Sequence, residues 1–399
     1  MIREITVQNF KSLEDLHLPL GRVTVLIGEN GAGKSNILEA VAFFGAAAHH
    51  KLDAEFLHVR GVRVTPERLP LSAFHQRKTG WLSHSFYMQA IGRHKASKCD
   101  VMIVDDGKTG GLFGGWTVSS GPPNPALVPL SIDMSADAYR SLQLIDKRPK
   151  DLPSKHAPVL RDLFESAHRV VVEIERAKRL FPTPFVIYSP ENTALRTFET
   201  EGQMRPLGVR GEGLFKLVQR FAEESPDRFK ALRKELKLFD WFSDFNIPKR
   251  LGLGESRLDI KDRFLAAKHL LDQRSANEGF LFVLFYICLF LSPQTPKFFA
   301  IDNIDASLNP KLCAELMRRI VALAKQEDKQ VIITTHNPAI LDGLDLKDKE
   351  QMLYAVQRDS KGRTVAKRIE APKPQRGEPA LKLSHAYLRG LIGGLPKNF

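Results

Sequence analysis

Apolar and polar positions alternate from Ile2 to Phe10 (IREITVQNF), break at Lys11-Ser12, and alternate again through LEDLHLPL, so the chain opens on two strands and a turn. RVTVLIG (22–28) is apolar almost without interruption, as expected of a buried strand, and it feeds a glycine-rich loop. After the loop the spacing becomes helical, with Ile37, Leu38, Val41 and Phe44 as the apolar positions. SFYMQAIG (85–92) and CDVMIVDDG (99–107) read as further strands, and the basic, Gly-rich and Pro-rich stretches around them as hairpins of the same sheet. Residues 134–181 turn helical and charged, without the heptad array of an extended coiled coil.

PFVIYSPENTALR (184–196) resumes a strand and turn. RGEGLFKLVQRFAEESPDRFKALRKELKLF (210–239) forms one or two amphipathic helices, and RLDIKD (257–262) a strand. From residue 275 the order is helix, strand FFAID, helix PKLCAELMRRIVALAKQ, strand QVIITTH and helix PAILDGL, the alternation of a parallel α/β sheet. The end reads as a hairpin around Ser360-Lys361-Gly362, a Pro-rich loop and a short helix. The most apolar run, FLFVLFYICLFL (280–291), is 12 residues long and stops at Ser-Pro, short of the ~20 a bilayer-spanning helix needs, so it predicts a buried helix.

Composition adds a partner class. Among 399 residues, 59 Lys and Arg against 46 Asp and Glu leave a net charge of +13, which favours polyanions such as nucleic acid. His75-Gln76-Arg77-Lys78, Arg93-His94-Lys95 and Lys147-Arg148 are the basic stretches that could touch a phosphate backbone, though such loops more often only face solvent. The 3 cysteines show no pairing pattern and no CxxC, which fits a reducing cytoplasm. Met1-Ile2-Arg3-Glu4 leads straight into a strand pattern, so neither a signal peptide nor a membrane partner is expected.

The strongest chemical signal is GENGAGKS (28–35), a full match to GxxxxGK[ST] placed between a strand and a helix. Its glycines let backbone N–H groups close around phosphates at a helix N-terminus. Asn30, Gly31, Ala32, Gly33, Lys34, Ser35 and Asn36 are therefore the expected nucleotide-binding residues, with Lys34 as a point charge and Ser35 as a hydroxyl ligand to Mg²⁺. The implied cofactors are ATP or GTP with Mg²⁺. An apolar strand ending in an aspartate usually accompanies such a loop, to orient the metal's waters, and Phe298-Phe299-Ala300-Ile301-Asp302 fits. Another strand ends in Thr334-Thr335-His336-Asn337-Pro338, where a histidine could reach the γ-phosphate.

NFKSL (9–13), GENGAGKS, the strand ending in Asp302, SLNP (307–310) and TTHNP occur in this order, and in this the chain resembles the ABC-type ATPases of the SMC/RecF/OLD group. The resemblance covers roughly 1–45 and 270–345; between them only SPENTALR and GEGL are family-like. It implies an α/β fold of the ABC-type P-loop ATPase head, a mixed and parallel sheet flanked by helices, with a helical insertion. The expected division is 1–133, the N-terminal half of the head; 134–270, a mainly helical lobe; and 271–399, the C-terminal half. It also implies ATP and Mg²⁺ held between two heads, with Asp302 as the Walker B aspartate, Ser307 to Pro310 as the dimer-facing loop and His336 as the switch histidine. Gly279 aligns with the signature glycine and Asn277 falls where a serine usually meets the opposite γ-phosphate; Ser275 is an alternative, and a plain helix cap is the other reading of this segment. Gln76 is the candidate for the Mg²⁺-sensing glutamine, with Gln89 as competitor.

In that family a glutamate after the Walker B aspartate polarises the attacking water; here the residue is Asn303. An amide can hold water but cannot accept its proton, so slow hydrolysis and long-lived ATP dimers are expected, unless positioning and charge dominate or Asp305 stands in. About 60 residues follow His336, and no acidic cluster of a nuclease is visible in them, so a separate nuclease or toxin effector is expected, as in bacterial anti-phage modules with stand-alone members of the family. A RecF-like DNA-repair clamp ATPase is the alternative; a transporter subunit fits the opening and the degenerate signature poorly.

Overall fold

The computed structural model describes residues 1–49, 51–63, 85–93, 98–105, 116–120, 132–133, 171–198, 204–248, 256–266, 268–371 and 381–392. Strands β1 (Ile2–Phe10) and β2 (Leu13–Pro19) pair antiparallel about the Lys11-Ser12 turn. Strand β3 (Val23–Ile27) leads through the glycine loop into α1 (Lys34–Ala48), followed by the short α2 (Ala54–His58). Strands β4 (Ser85–Gly92), β5 (Lys98–Asp105), β6 (Trp116–Ser120) and β7 (Ile132–Asp133) extend the first pair into an antiparallel sheet of order β2-β1-β4-β5-β6-β7. A helix α3 over 171–180 precedes β8 (Ile187–Tyr188) and α4 (Asn192–Thr197).

Helices α5 (Leu214–Glu224) and α6 (Pro226–Leu236) and the ribbon of β9 (Phe242–Asn246) with β10 (Asp259–Asp262) lead to α7 (Glu278–Leu291). Strand β11 (Phe298–Ile301), α8 (Pro310–Gln326), β12 (Gln330–Thr335), a 3₁₀ turn (Pro338–Gly343), β13 (Gln351–Arg358), β14 (Thr364–Ile369) and α9 (Leu383–Leu388) complete the described chain. The second sheet runs β14-β13-β3-β12-β11-β8, parallel throughout except for the β13–β14 hairpin.

Period-two geometry divides the interior into two cores. Val23, Val25 and Ile27 of β3, Phe299 and Ile301 of β11, and Val331 and Ile333 of β12 join the core that contains α7. The alternate residues Leu26, Phe298, Ala300 and Ile332 face the core built from α1 and the antiparallel sheet. Both faces of the parallel sheet are thus covered, which is why its strands read as continuous apolar runs. Helix α7 is buried on every side from Gly279 to Leu291, as its composition predicts. Among the described residues no helix is long and apolar enough to cross a membrane.

The structure alters several details of the sequence reading. ENTALR contains a helix, because the chain turns straight from β8 into Asn192–Thr197, while PAILDG forms a 3₁₀ turn capped by Asn337. The segment assigned to a mainly helical lobe also supplies β8 to the central sheet, and the β9–β10 ribbon. Gln76 and most of the basic stretches, His75 to Lys78, His94-Lys95 and Lys147-Arg148, lie outside the described residues.

A buried lysine ties α7 to the sheet. The Lys329 ammonium, 1% exposed, donates to the carbonyls of Leu289 and Ser292 at 2.7 Å each and to the Thr295 hydroxyl. Burial lowers the Lys329 pKa to about 7, and the Thr295 hydroxyl shares the same two carbonyls at 2.7 and 2.8 Å, so amine and hydroxyl together satisfy acceptors at the end of the helix. Because the Thr295 hydroxyl has one hydrogen for the two carbonyls, replacing Lys329 by Met should leave one acceptor stranded and cost about 2 kcal/mol, seen as a lower urea midpoint with unchanged slope. A midpoint equal to that of the native protein would show that the ammonium does not hold this helix end.

Candidate functional site

The ends of β3, β11 and β12 open on one edge of the sheet, because the three strands run parallel and in register (Val331 opposite Val23, Phe299 opposite Val331). From this edge emerge the glycine loop, Asp302 and His336. Gly33 stands at φ 105°, a left-handed conformation open to glycine, and it caps α1 without a side-chain bond. The first-turn N–H groups of α1 are then available to an anion, with the helix dipole behind them.

Lys34 is 6% exposed, and its ammonium donates to the carbonyls of Gly28 at 2.8 Å and Glu29 at 2.9 Å, closing the loop on itself. Burial lowers its pKa to about 8, against the opposing pull of Asp302, Asp305 and Glu29. His336 Nδ1 lies 3.5 Å from the Lys34 ammonium. Burial first, and then the Lys34 charge, hold the imidazole below its ordinary range, so it is neutral at pH 7.

Two threonines at the end of β12 orient two aspartates. The Thr334 hydroxyl donates to Asp302 Oδ1 and accepts from the Asn303 N–H at 2.9 Å. Thr335 donates to Asp305 Oδ1 at 2.5 Å and accepts from the Asn337 N–H at 3.0 Å. Both threonines are fully buried, so their hydroxyls have fixed partners. The other oxygen of Asp302 accepts from Ser35 Oγ at 3.3 Å. A hydroxyl and a carboxylate facing each other are the hard oxygen donors that Mg²⁺ takes from a protein when phosphates supply other ligands. Among the described residues no group of three or more His, Cys, Asp or Glu could hold a metal, so Ser35 and Asp302 would hold it with the nucleotide. Asn303 is exposed and sits at φ 54°, a region that asparagine enters more readily than most residues.

The expected trans-side residues come together with the loop expected to face a second head. Asn277 caps α7 through a bond from the Gly279 N–H at 2.9 Å, the cap reading of this segment. A Cβ on Gly279 would sit 3.1 Å from both the Ser307 carbonyl and the Leu308 side chain. Ser307, itself at φ 60°, bonds Glu278 at 2.5 Å, and Asn309 caps α8. Ser275 donates its hydroxyl to Asp272 at 2.8 Å, and Gln89 donates through Nε2 to Tyr87 and Asp100. Asn36, expected at the nucleotide, donates through its side chain to Ser12 Oγ at 2.7 Å. Thr334, Thr335, Ser12 and Thr364 escaped the sequence reading; the TT pair just before His336 was the one visible signal for the first two.

The Lys34 pKa sets a pH dependence. A bound phosphate favours the ammonium, so above about pH 8 binding must take up a proton. Nucleotide affinity should be flat below pH 8 and fall by up to about tenfold per pH unit above it, in calorimetric titrations with ADP, until the ammonium of the bound form itself titrates. Lys34→Met should bind weakly with a flat profile over the same range.

Comparison with known proteins agrees with this geometry. Residues 1–103 match a family model described as AAA ATPase domain, and residues 214–342 one described as AAA domain, putative AbiEii toxin, Type IV TA system. An OLD nuclease of Thermus scotoductus is 22% identical over 412 aligned positions, covering 99% of this chain and 68% of that protein. The DNA replication and repair protein RecF of Bacillus cytotoxicus is 41% identical over 51 residues, 12% of this chain and 14% of that protein. Among solved structures, the SMC head domain of Thermotoga maritima aligns over 92% of this chain and 99% of its own with 14% identity and a TM-score of 0.43. An SMC head bound to the C-winged helix domain of ScpA aligns over 92% and 98% with 13% identity and a TM-score of 0.49. With a phosphate loop, an aspartate-ended strand and a histidine-ended strand on one sheet edge, and AAA ATPase family models matching both ends, the chain is similar to the ABC-type ATPases of the SMC/RecF/OLD group.

Proposed function

We propose that this protein is a slow, Mg²⁺-dependent ATPase that dimerises around ATP and uses the bound state to control a separate effector, a nuclease or toxin, in the bacterial cytoplasm. The observation that carries this reading is Asn303, exposed beside the Asp302–Ser35 pair, where the general base would stand. The glycine loop and Lys34 bind the phosphates, and Mg²⁺ held by Ser35 and Asp302 would neutralise their charge. Asn303 holds the attacking water by hydrogen bonding without accepting its proton. Asp305, pinned by Thr335, is the nearby carboxylate left to take that proton, at the slow rate expected of a group two residues from the usual base position. Neutral His336 contacts the γ-phosphate.

Asn277 and Ser307 are exposed, and they lie next to each other through the packing of Gly279 against Leu308. This composite edge is suited to meet the nucleotide of a second copy. A role in anti-phage or toxin–antitoxin modules draws support from the description of the family model matched at 214–342. The charge of +13 favours a nucleic-acid trigger, bound with strong salt dependence and no base preference. The RecF match over 51 residues favours a second reading, a DNA-repair clamp ATPase.

Turnover of the purified protein should be compared with that of Lys34→Ala and Asn303→Glu, with dimerisation followed by light scattering. The native protein should turn over slowly but dimerise with ATP, and Lys34→Ala should do neither. Asn303→Glu should raise turnover by a factor within the roughly 10²- to 10⁴-fold range of a general base, less whatever strain glutamate meets at this backbone position. Brisk, DNA-stimulated turnover by the native protein would overturn the switch reading in favour of the clamp.

A further inference from the structure

The C-terminal hairpin β13–β14, more than 300 residues downstream in the sequence, forms the outer wall of the phosphate loop. A Cβ on Gly28 would lie 2.1 Å from the Val356 carbonyl, and one on Gly33 2.0 Å from Thr364 Oγ1, so hairpin and loop are in direct contact at two points. Two side chains of the hairpin also reach loop carbonyls. Arg358 Nε donates to the Gly31 carbonyl at 2.9 Å, and Thr364 Oγ1 donates to the Ala32 carbonyl at 2.9 Å.

The Thr364 bond ends a chain of donors with one consistent direction. A carbonyl can only accept, so the Thr364 hydrogen is committed to Ala32. Ser12 Oγ, 2.7 Å from Thr364 Oγ1, must then supply the hydrogen between them, and it accepts in turn from Asn36 Nδ2 at 2.7 Å. The Thr364 N–H also donates to the Ser12 carbonyl at 2.8 Å. Thr364 is 3% exposed and Ser12 5%, so water cannot easily replace either hydroxyl.

A trans peptide is planar, with its C=O and N–H pointing opposite ways. Holding the Ala32 carbonyl toward Thr364 therefore aims the Gly33 N–H away from the hairpin, while holding the Gly31 carbonyl toward Arg358 turns the Ala32 N–H back into the loop, where it donates to the Glu29 carbonyl at 3.3 Å. We propose that Thr364 and Arg358 are positioning residues for the phosphate loop: Thr364 fixes the Ala32–Gly33 peptide plane so that the Gly33 N–H faces the nucleotide phosphates, and Arg358 fixes the Gly31–Ala32 plane that closes the loop on Glu29. This proposal rests on the reading of residues 28–35 as the phosphate site, and it makes the C-terminal hairpin part of nucleotide recognition.

The test measures ADP and ATP binding by calorimetry, and the KM and kcat of turnover, on the full chain for the native protein, Thr364→Val, Thr364→Ser, Arg358→Ala and Lys34→Ala. Thr364→Val keeps the shape but strands the Ala32 carbonyl, and should weaken nucleotide binding and raise KM about tenfold. Thr364→Ser restores the hydroxyl and should bind within about twofold of the native protein. Arg358→Ala, which also removes a bond to the Gly362 carbonyl within the hairpin, should weaken binding about threefold, with a smaller loss of melting temperature than Thr364→Val. If Thr364→Val melts earlier yet its folded fraction binds as the native protein does, and Arg358→Ala also binds normally, the hairpin is only a structural brace and the proposal falls. If the native protein and Lys34→Ala bind nucleotide equally poorly, the phosphate-loop reading itself fails, and the proposal with it.

Discussion

A nucleoside triphosphate concentrates several negative charges, and an uncharged backbone can surround them only with N–H groups that no sheet or helix has already used. In this protein such groups are left over where β3 passes into α1, with Gly33 at φ 105° making the corner. The rest of the head is arranged about that corner. Strand β3 lies between β12 and β13, so the loop is flanked on one side by the strand carrying His336 and on the other by the C-terminal hairpin. Parallel pairing brings the ends of β3, β12 and β11 to the same edge, where ligands of open α/β sheets bind.

The chemistry of that edge depends on buried hydroxyls as much as on charged groups. Thr334 and Thr335 each hold one aspartate, and Ser12 and Thr364 hold a loop carbonyl through one directed set of bonds. Each of these hydroxyls is buried and paired, so removing one leaves a polar partner with no water to replace it. Such bonds give the carboxylates and peptide planes a set orientation before any ligand arrives, which phosphoryl transfer requires because it relies on positioning and charge. The side chain at Asn303 is different. It is exposed, its backbone N–H is fixed by Thr334, and its amide is free to meet water or a second protein surface.

Much of the parallel sheet was legible from the chain alone. RVTVLIG, FFAID and QVIITTH read as buried strands because both faces of the sheet are covered, and FLFVLFYICLFL read as a buried helix because no polar stripe interrupts it. GENGAGKS declared its chemistry by spacing, since each of its residue types answers one need of a phosphate. The antiparallel strands at 85–92 and 99–105 were also visible, but their partner was not. The two strands pair with each other, and the first of them adds to β1, a long-range choice that no local pattern encodes. Asn277 carries both readings the sequence offered. Its Oδ1 caps α7, which leaves the Nδ2 donor for a nucleotide contact, and no local pattern tells the two roles apart.

The sequence by itself determined most of the strand and helix types, the phosphate loop, and the two strand ends bearing Asp302 and His336, because hydrophobic period and motif spacing are local properties of the chain. Only the tertiary structure decided that Ser12 and Thr364 would meet at Ala32, that Thr334 and Thr335 would take one aspartate each, and that β8 would join the sheet beside β11. Those contacts join residues tens to hundreds of positions apart. A short hydroxyl side chain carries no periodic signal, and its partner is chosen by which strand packs beside it.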